Sequence, residues 1–247
     1  KDLLDLVVDK QRPEDMFDKM LELKYNGTVF EGFTGDEVLS GLDPTRGTEC
    51  CAIVEHMYSY EEIFAHTGEN KWAERLEVLG FNALPATLSE DMWTHQYVQQ
   101  VNQIACQKTM IMAPWSTNGP YAHTFGLEPN FGCCTANFNQ GWPKFALLPF
   151  MHKDNTIINS VMLPSVLSDN GVKIRLETNY PFENKVQYYI DANRDFNFVI
   201  RIPSFAKNLT VNGENVEVKD LEFAIKQGET DIQIEFETTP NMKKRPN

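Results

Sequence analysis

The sequence predicts an α+β multidomain chain: a helical part over residues 1–149, then an antiparallel β-sandwich over residues 150–247. Two observations predict it. Apolar residues recur at helical spacing before residue 150 and alternate with polar ones after it. Turn signals then separate several short strands, as in a sandwich. Helical hairpins followed by a run of strands fit two domains better than one mixed sheet.

The opening "KDLLDLVVDKQ" reads as a helix already under way, so the true N-terminus is expected upstream. "FTGDEVLSGLDPTRGTE" is rich in Gly, Asp, Thr and Pro and reads as a loop. "ECCAIVEHMYSYEEIFAHTG" follows, with Ile53, Val54, Met57, Tyr60 and Phe64 at helical spacing and Gly68 as the stop. "ENKWAERLEVLGFNALPA" sets Trp72, Ala73, Leu76 and Leu79 on one face, so the two segments form an αα-hairpin. Residues 112–132, punctuated by proline and glycine, read as a long loop of the kind that is usually functional. The adjacent Cys133 and Cys134 are read as part of a loop too, where neighbours project to opposite sides.

Beyond residue 150, "DFNFVIRIP" places Phe196, Phe198, Ile200 and Ile202 on one face. "GVKIRLET", "KVQYYIDA" and "ETDIQIEFET" are further strands, and Asn212-Gly213 marks a two-residue hairpin turn.

At 247 residues with 42% apolar content, the chain is long enough to bury a core. A net charge of −13 argues against nucleic acid or an anionic membrane surface and is compatible with a neutral partner such as a sugar. No apolar run approaches the ~20 residues of a membrane span. The compartment is left open, with a secreted or periplasmic one favoured.

Four of the five cysteines form two adjacent pairs, Cys50-Cys51 and Cys133-Cys134. A disulfide framework spreads its cysteines apart, so the clustering favours metal or redox chemistry, against the alternative of small buried apolar residues. Glu49, Cys51, Cys133 and Cys134 would fill a four-coordinate zinc shell, although the CxxC spacing of zinc fingers is absent.

"GTECCAIVEHMYSYEEIFAHTGENKWAERLEVLGFNALPA", "CCTANFNQGWPKFA" and "FVIRIPSFA" together resemble glycoside hydrolase family 127, which contains retaining β-L-arabinofuranosidases. The specific parts are the E-x-C-A element at 49–52, the vicinal cysteines before T-A-N, and R-I-P at 201–203. The resemblance implies an (α/α)6 barrel followed by β-sandwich domains, a Zn2+ ion on Glu49, Cys51, Cys133 and Cys134, and Cys133 as nucleophile. It also implies a sugar contact from Tyr97, in "QYV". The family's acid/base glutamate has no clean counterpart in the shorter loop "FTGDEVLSG". Glu37 is preferred for its longer side chain, with Asp36 as the alternative. His123 and Trp115, in the loop before the cysteine pair, are candidate substrate contacts, and Trp115 could equally anchor that loop. If the chain begins at residue 1, roughly half the barrel must come from a missing N-terminal half or from a partner chain.

A cysteine replaces the usual carboxylate nucleophile only as a thiolate, and a free thiol with pKa near ~8.5 is mostly protonated at neutral pH. Zinc coordination removes that obstacle. Two other readings stand beside a glycosidase acting on an oligosaccharide or glycoside. One is a non-catalytic carbohydrate-binding protein with structural zinc. The other is a hydrolase with a Cys133–His123 pair.

Overall fold

The structure is a computed structural model and describes residues 45–100, 103–110, 113–116, 118–217 and 220–240. Asp36 and Glu37 therefore lie outside the described residues. Two compact units divide between Phe145 and Ala146.

In the first unit, strand β1 (Thr48–Glu49) runs straight into helix α1 (Cys50–Thr67). Gly68 ends that helix at φ 69°, a left-handed conformation that glycine adopts without steric cost. Helix α2 (Asn70–Val78) follows and gives way to a π-helical turn, Leu79–Ala83, and a 3-10 turn, Pro85–Thr87. Ile53, Val54, Met57, Tyr60, Phe64, Trp72, Ala73, Leu76 and Leu79 are buried, so the hairpin read from spacing exists. Strand β2 (Val98–Gln99) pairs antiparallel with β1, setting Glu49 opposite Val98.

Helix α3 (Gly132–Phe145) corrects the placement of Cys133 and Cys134 in a loop. Its glycines and Pro143 made it look irregular. Yet Cys134, Phe138, Gly141 and Phe145 recur at i, i+4, i+7 and i+11, one helical stripe, and three of them are buried. A Cβ at Gly141 would lie 2.6 Å from Leu84 Cδ2 and 3.3 Å from Val54 Cγ2, so glycine permits the close approach to Leu84, after the π-helical turn, and to α1. Tertiary packing outweighs weak propensity here.

Glu61, on α1, is buried, and neither carboxylate oxygen has a hydrogen-bond partner among the described residues. Burial pushes its carboxyl up to about 7, against the pull of Lys144. The unfolded carboxyl ionises near ~4.3, so between about pH 4.5 and 7 the folded state holds more protons and stability falls as pH rises. Glu61→Gln should remove that fall and exceed the parent protein at pH 8 by up to about 2–3 kcal/mol. Urea unfolding of both proteins at pH 5 and pH 8 measures it, and equal pH slopes would refute it.

The second unit is a sandwich of two sheets. The larger contains β5 (Ser165–Asp169), β6 (Val172–Thr178), β7 (Lys185–Ala192), β9 (Lys207–Val211), β10 (Glu214–Asn215) and β12 (Gly228–Glu237), in the order β10-β9-β12-β7-β6-β5. The smaller contains β3 (Phe150–Lys153), β4 (Thr156–Asn159), β8 (Phe196–Arg201) and β11 (Asp220–Ile225), in the order β11-β8-β4-β3. Asn212 and Gly213 both take positive φ, 50° and 84°, as a type I′ hairpin turn requires.

The sheets meet through alternating apolar faces. The Tyr188 ring meets Phe198 edge-on at 5.4 Å, and its hydroxyl donates to Asn159 Oδ1 at 2.7 Å. One pairing departs from an all-antiparallel sandwich: β4 and β8 run parallel, because the chain visits the larger sheet between them. Arg201, which alternates with the apolar face of Phe198 and Ile200, is buried too and donates through Nε to the Ser160 carbonyl. Among the described residues no helix is long and apolar enough to cross a membrane.

Candidate metal centre

Two helix N-termini bring the donors together. Glu49 is the N-cap of α1, extended at φ −74°, ψ 137°, and Cys51 lies in that helix's first turn. The β1–β2 pairing holds this turn, and Cys50 N–H donates to the Tyr97 carbonyl at 2.9 Å. Gly47 is needed just upstream, since a Cβ there would meet Val98 Cγ1 at 2.1 Å and the Gln99 carbonyl at 2.6 Å. Cys133 and Cys134 open α3.

One donor atom from each of Glu49, Cys51, Cys133 and Cys134 lies within 4.8 Å of the other three. Cys51 Sγ and Cys134 Sγ are 3.1 Å apart. Around one ion with bonds of about 2.0–2.3 Å, tetrahedral donors stand roughly 3.3–3.8 Å from one another. The four therefore fit a single four-coordinate metal ion with adjustments of about 1 Å.

The electrostatics point the same way. A hydrogen bond with Cys134, followed by burial, pushes the Cys51 thiol far up from its ordinary value. A hydrogen bond with Cys50 is the first cause of the rise at Cys134, and burial is the first cause at Cys133. Three adjacent thiols and a buried carboxylate cannot all ionise without a cation among them. Two positive helix ends favour anions there, but by much less than a bound divalent ion would.

As successive helical residues, Cys133 and Cys134 project roughly 100° apart, not to opposite sides. Cys133 is exposed nonetheless, and Cys134 is buried.

The other expected site residues take varied positions. Tyr97 is buried in the cluster that holds Cys50 and Cys134, its ring stacked on Phe131 at 3.8 Å. His123 is buried, with Nδ1 2.9 Å from the Val98 carbonyl and Nε2 2.7 Å from Ser116 Oγ. The carbonyl can only accept, so Nδ1 donates there. Both ring nitrogens are engaged away from Cys133, which removes the observation a Cys133–His123 pair needs. Trp115 is half-buried, and its indole N–H is buried with no hydrogen-bond partner among the described residues.

Sequence reasoning missed His95. It is buried, its Nε2 lies 3.2 Å from Thr135 Oγ1, and its ring stacks on Phe138 at 5.5 Å. It thereby ties the extended segment before β2 to the cysteine-bearing helix. Only its place two residues before Tyr97 hinted at this.

Residues 24–147 match the family model described as β-L-arabinofuranosidase, GH127 catalytic domain. The chain belongs to glycoside hydrolase family 127. Residues 158–235 match the GH127 middle domain. No curated protein matches the GH127 chain. Among solved structures it is similar to a GH127 β-L-arabinofuranosidase from Geobacillus stearothermophilus T6, with TM-score 0.70 and 17% identity over 96% of this chain and 42% of that one. A second, titled a glycoside hydrolase, matches with TM-score 0.63 and 19% identity over 80% of this chain and 34% of its own. A third, a GH127 β-arabinofuranosidase, gives TM-score 0.58 and 21% identity over 80% and 33%. At these identities the likeness is one of fold. The GH127 chain spans less than half the length of each.

Proposed function

We propose that this chain is the metal-bearing part of a zinc-dependent retaining glycoside hydrolase with a cysteine thiolate nucleophile, cleaving β-L-arabinofuranosides of plant-type glycans. The observation that carries it is the convergence of Glu49, Cys51, Cys133 and Cys134 on one point, with Cys133 the exposed member. Thiolate-rich donor sets suit zinc. Family membership and the activities named for the similar structures support the substrate class. Residues 1–149 are proposed as the C-terminal part of an (α/α)6 barrel and residues 150–247 as a β-sandwich domain. The rest of the barrel would come from further chain or from a partner chain.

Bound zinc would keep the thiols ionised and offset their charge. Cys133 Sγ then attacks the anomeric carbon as the glycosidic oxygen leaves. Glu37, or Asp36 in its place, gives its proton to that oxygen. In the second step the same carboxylate takes a proton from water, the water oxygen bonds to the anomeric carbon, and the Cys133 thiolate departs. Two displacements at one carbon retain its configuration. Glu49, Cys51 and Cys134 hold the site, while Tyr97, His123 and Trp115 shape the sugar pocket.

Proton NMR of the first-formed sugar from an aryl β-L-arabinofuranoside tests the reaction, with the β anomer expected first and the α anomer counting against it. Glu37→Gln should slow poor leaving groups by about 10²–10⁴ and good ones much less, because good ones need little protonation. Equal slowing of both would move the role to Asp36 or remove it.

One observation favours a second reading, a non-catalytic carbohydrate-binding protein with a structural ion. All four positions would be filled by protein, as in closed structural zinc sites. Chelation should then unfold the protein with no turnover to lose.

A further inference from the structure

Cys51 and Cys134 come from segments 83 residues apart, yet their sulfurs are 3.1 Å from each other. That is shorter than the spacing of two ligands around one ion, roughly 3.8 Å, and about 1 Å longer than a disulfide bond. We infer that the metal site doubles as a redox lock: without its ion, Cys51 and Cys134 join as a disulfide that removes two of the four donors, and the bound ion prevents it. The inference rests on the metal reading of the same four residues.

Geometry chooses the pair. The vicinal neighbours, Cys50 with Cys51 and Cys133 with Cys134, would strain both the peptide and the S–S torsion. Cys51 is only half-buried, so a small oxidant reaches it, whereas Cys50 and Cys134 are buried. A low-molecular-weight disulfide such as oxidised glutathione is a sufficient oxidant. The Cys51 thiolate attacks one of its sulfurs and expels one glutathione thiolate. The Cys134 thiolate then attacks Cys51 Sγ and expels the second. Two protein thiols lose two protons and two electrons, and one oxidised glutathione becomes two reduced molecules. A metal ion held by Cys51 and Cys134 would engage the sulfur lone pairs that both attacks require, so loading and locking would exclude each other.

The test uses the intact protein, reduced and chelator-treated, then exposed to oxidised glutathione with and without added zinc. Non-reducing peptide mapping should find the 51–134 cross-link, 2 Da lighter than the free thiols and reversed by dithiothreitol. It should persist in Cys50→Ser and in Cys133→Ser. With zinc loaded, the cross-link should form at least tenfold more slowly. A cross-link from Cys50 to Cys134, a mixed disulfide that stops at Cys133, or equal rates with and without zinc would overturn the inference. Zinc uptake by the reduced protein is measured separately. Uptake without any cross-link sinks this inference alone, while a cross-link without uptake sinks the zinc reading and this inference with it.

Discussion

Cys51→Ala is expected to retain less than a tenth of the parent protein's metal and to unfold at markedly lower denaturant. Cys51 stands in the first turn of α1, and its sulfur faces Cys134 on α3. An ion there would tie the two helices through four side chains, so its binding energy would also be folding energy. A ligand at 1,000 times its Kd stabilises the folded state by about 4 kcal/mol, and loss of the site forfeits that amount. Chelating the parent protein should bring its unfolding curve down to that of Cys51→Ala, whereas the variant's own curve should not respond to chelator. Elemental analysis and urea titration read both quantities. Full metal content in Cys51→Ala would remove Cys51 from the ligand set.

A furanose carrying an electrophile at its anomeric centre should label Cys133 and spare Cys134, and Cys133→Ala should lower kcat by about 10³ or more. Both cysteines converge on the same site, so both variants should lose metal affinity. Their surroundings separate them. Cys134 is buried in the cluster of Cys50, Tyr97, Val98 and Ala122, while Cys133 stands exposed at the helix end. Peptide mapping of the labelled protein decides between them. Label on Cys134, or on a carboxylate, would reassign the nucleophile. Turnover without any label would point to an inverting reaction and return the ion to a structural role.

Much of this was legible in the chain. Spacing alone placed the α1–α2 hairpin and its glycine stop, because a helix with one buried face must repeat its apolar residues near 3.6. Period-two alternation and Asn212-Gly213 did the same for the strands. The adjacent cysteine pairs by themselves favoured only metal or redox chemistry; the four candidate ligands could be named because the E-x-C element at 49–51 and the vicinal cysteines before T-A-N resemble those of family 127. Three features escaped. Helix α3 was hidden because its stripe of Cys134, Phe138, Gly141 and Phe145 contains a cysteine and a glycine, which signal burial only once α1 and Leu84 lie against them. His95 carried no motif, since its role is a contact with Thr135 and Phe138, some 40 residues away. The parallel β4–β8 pair depends on which sheet the intervening strands join. The sequence by itself determined the periods, the turns and the ligand types, which are local properties of the backbone and side chains. Only the tertiary structure decided which sulfur faces solvent and which pair of sulfurs touches, because residues 83 apart meet only when the helices that carry them pack.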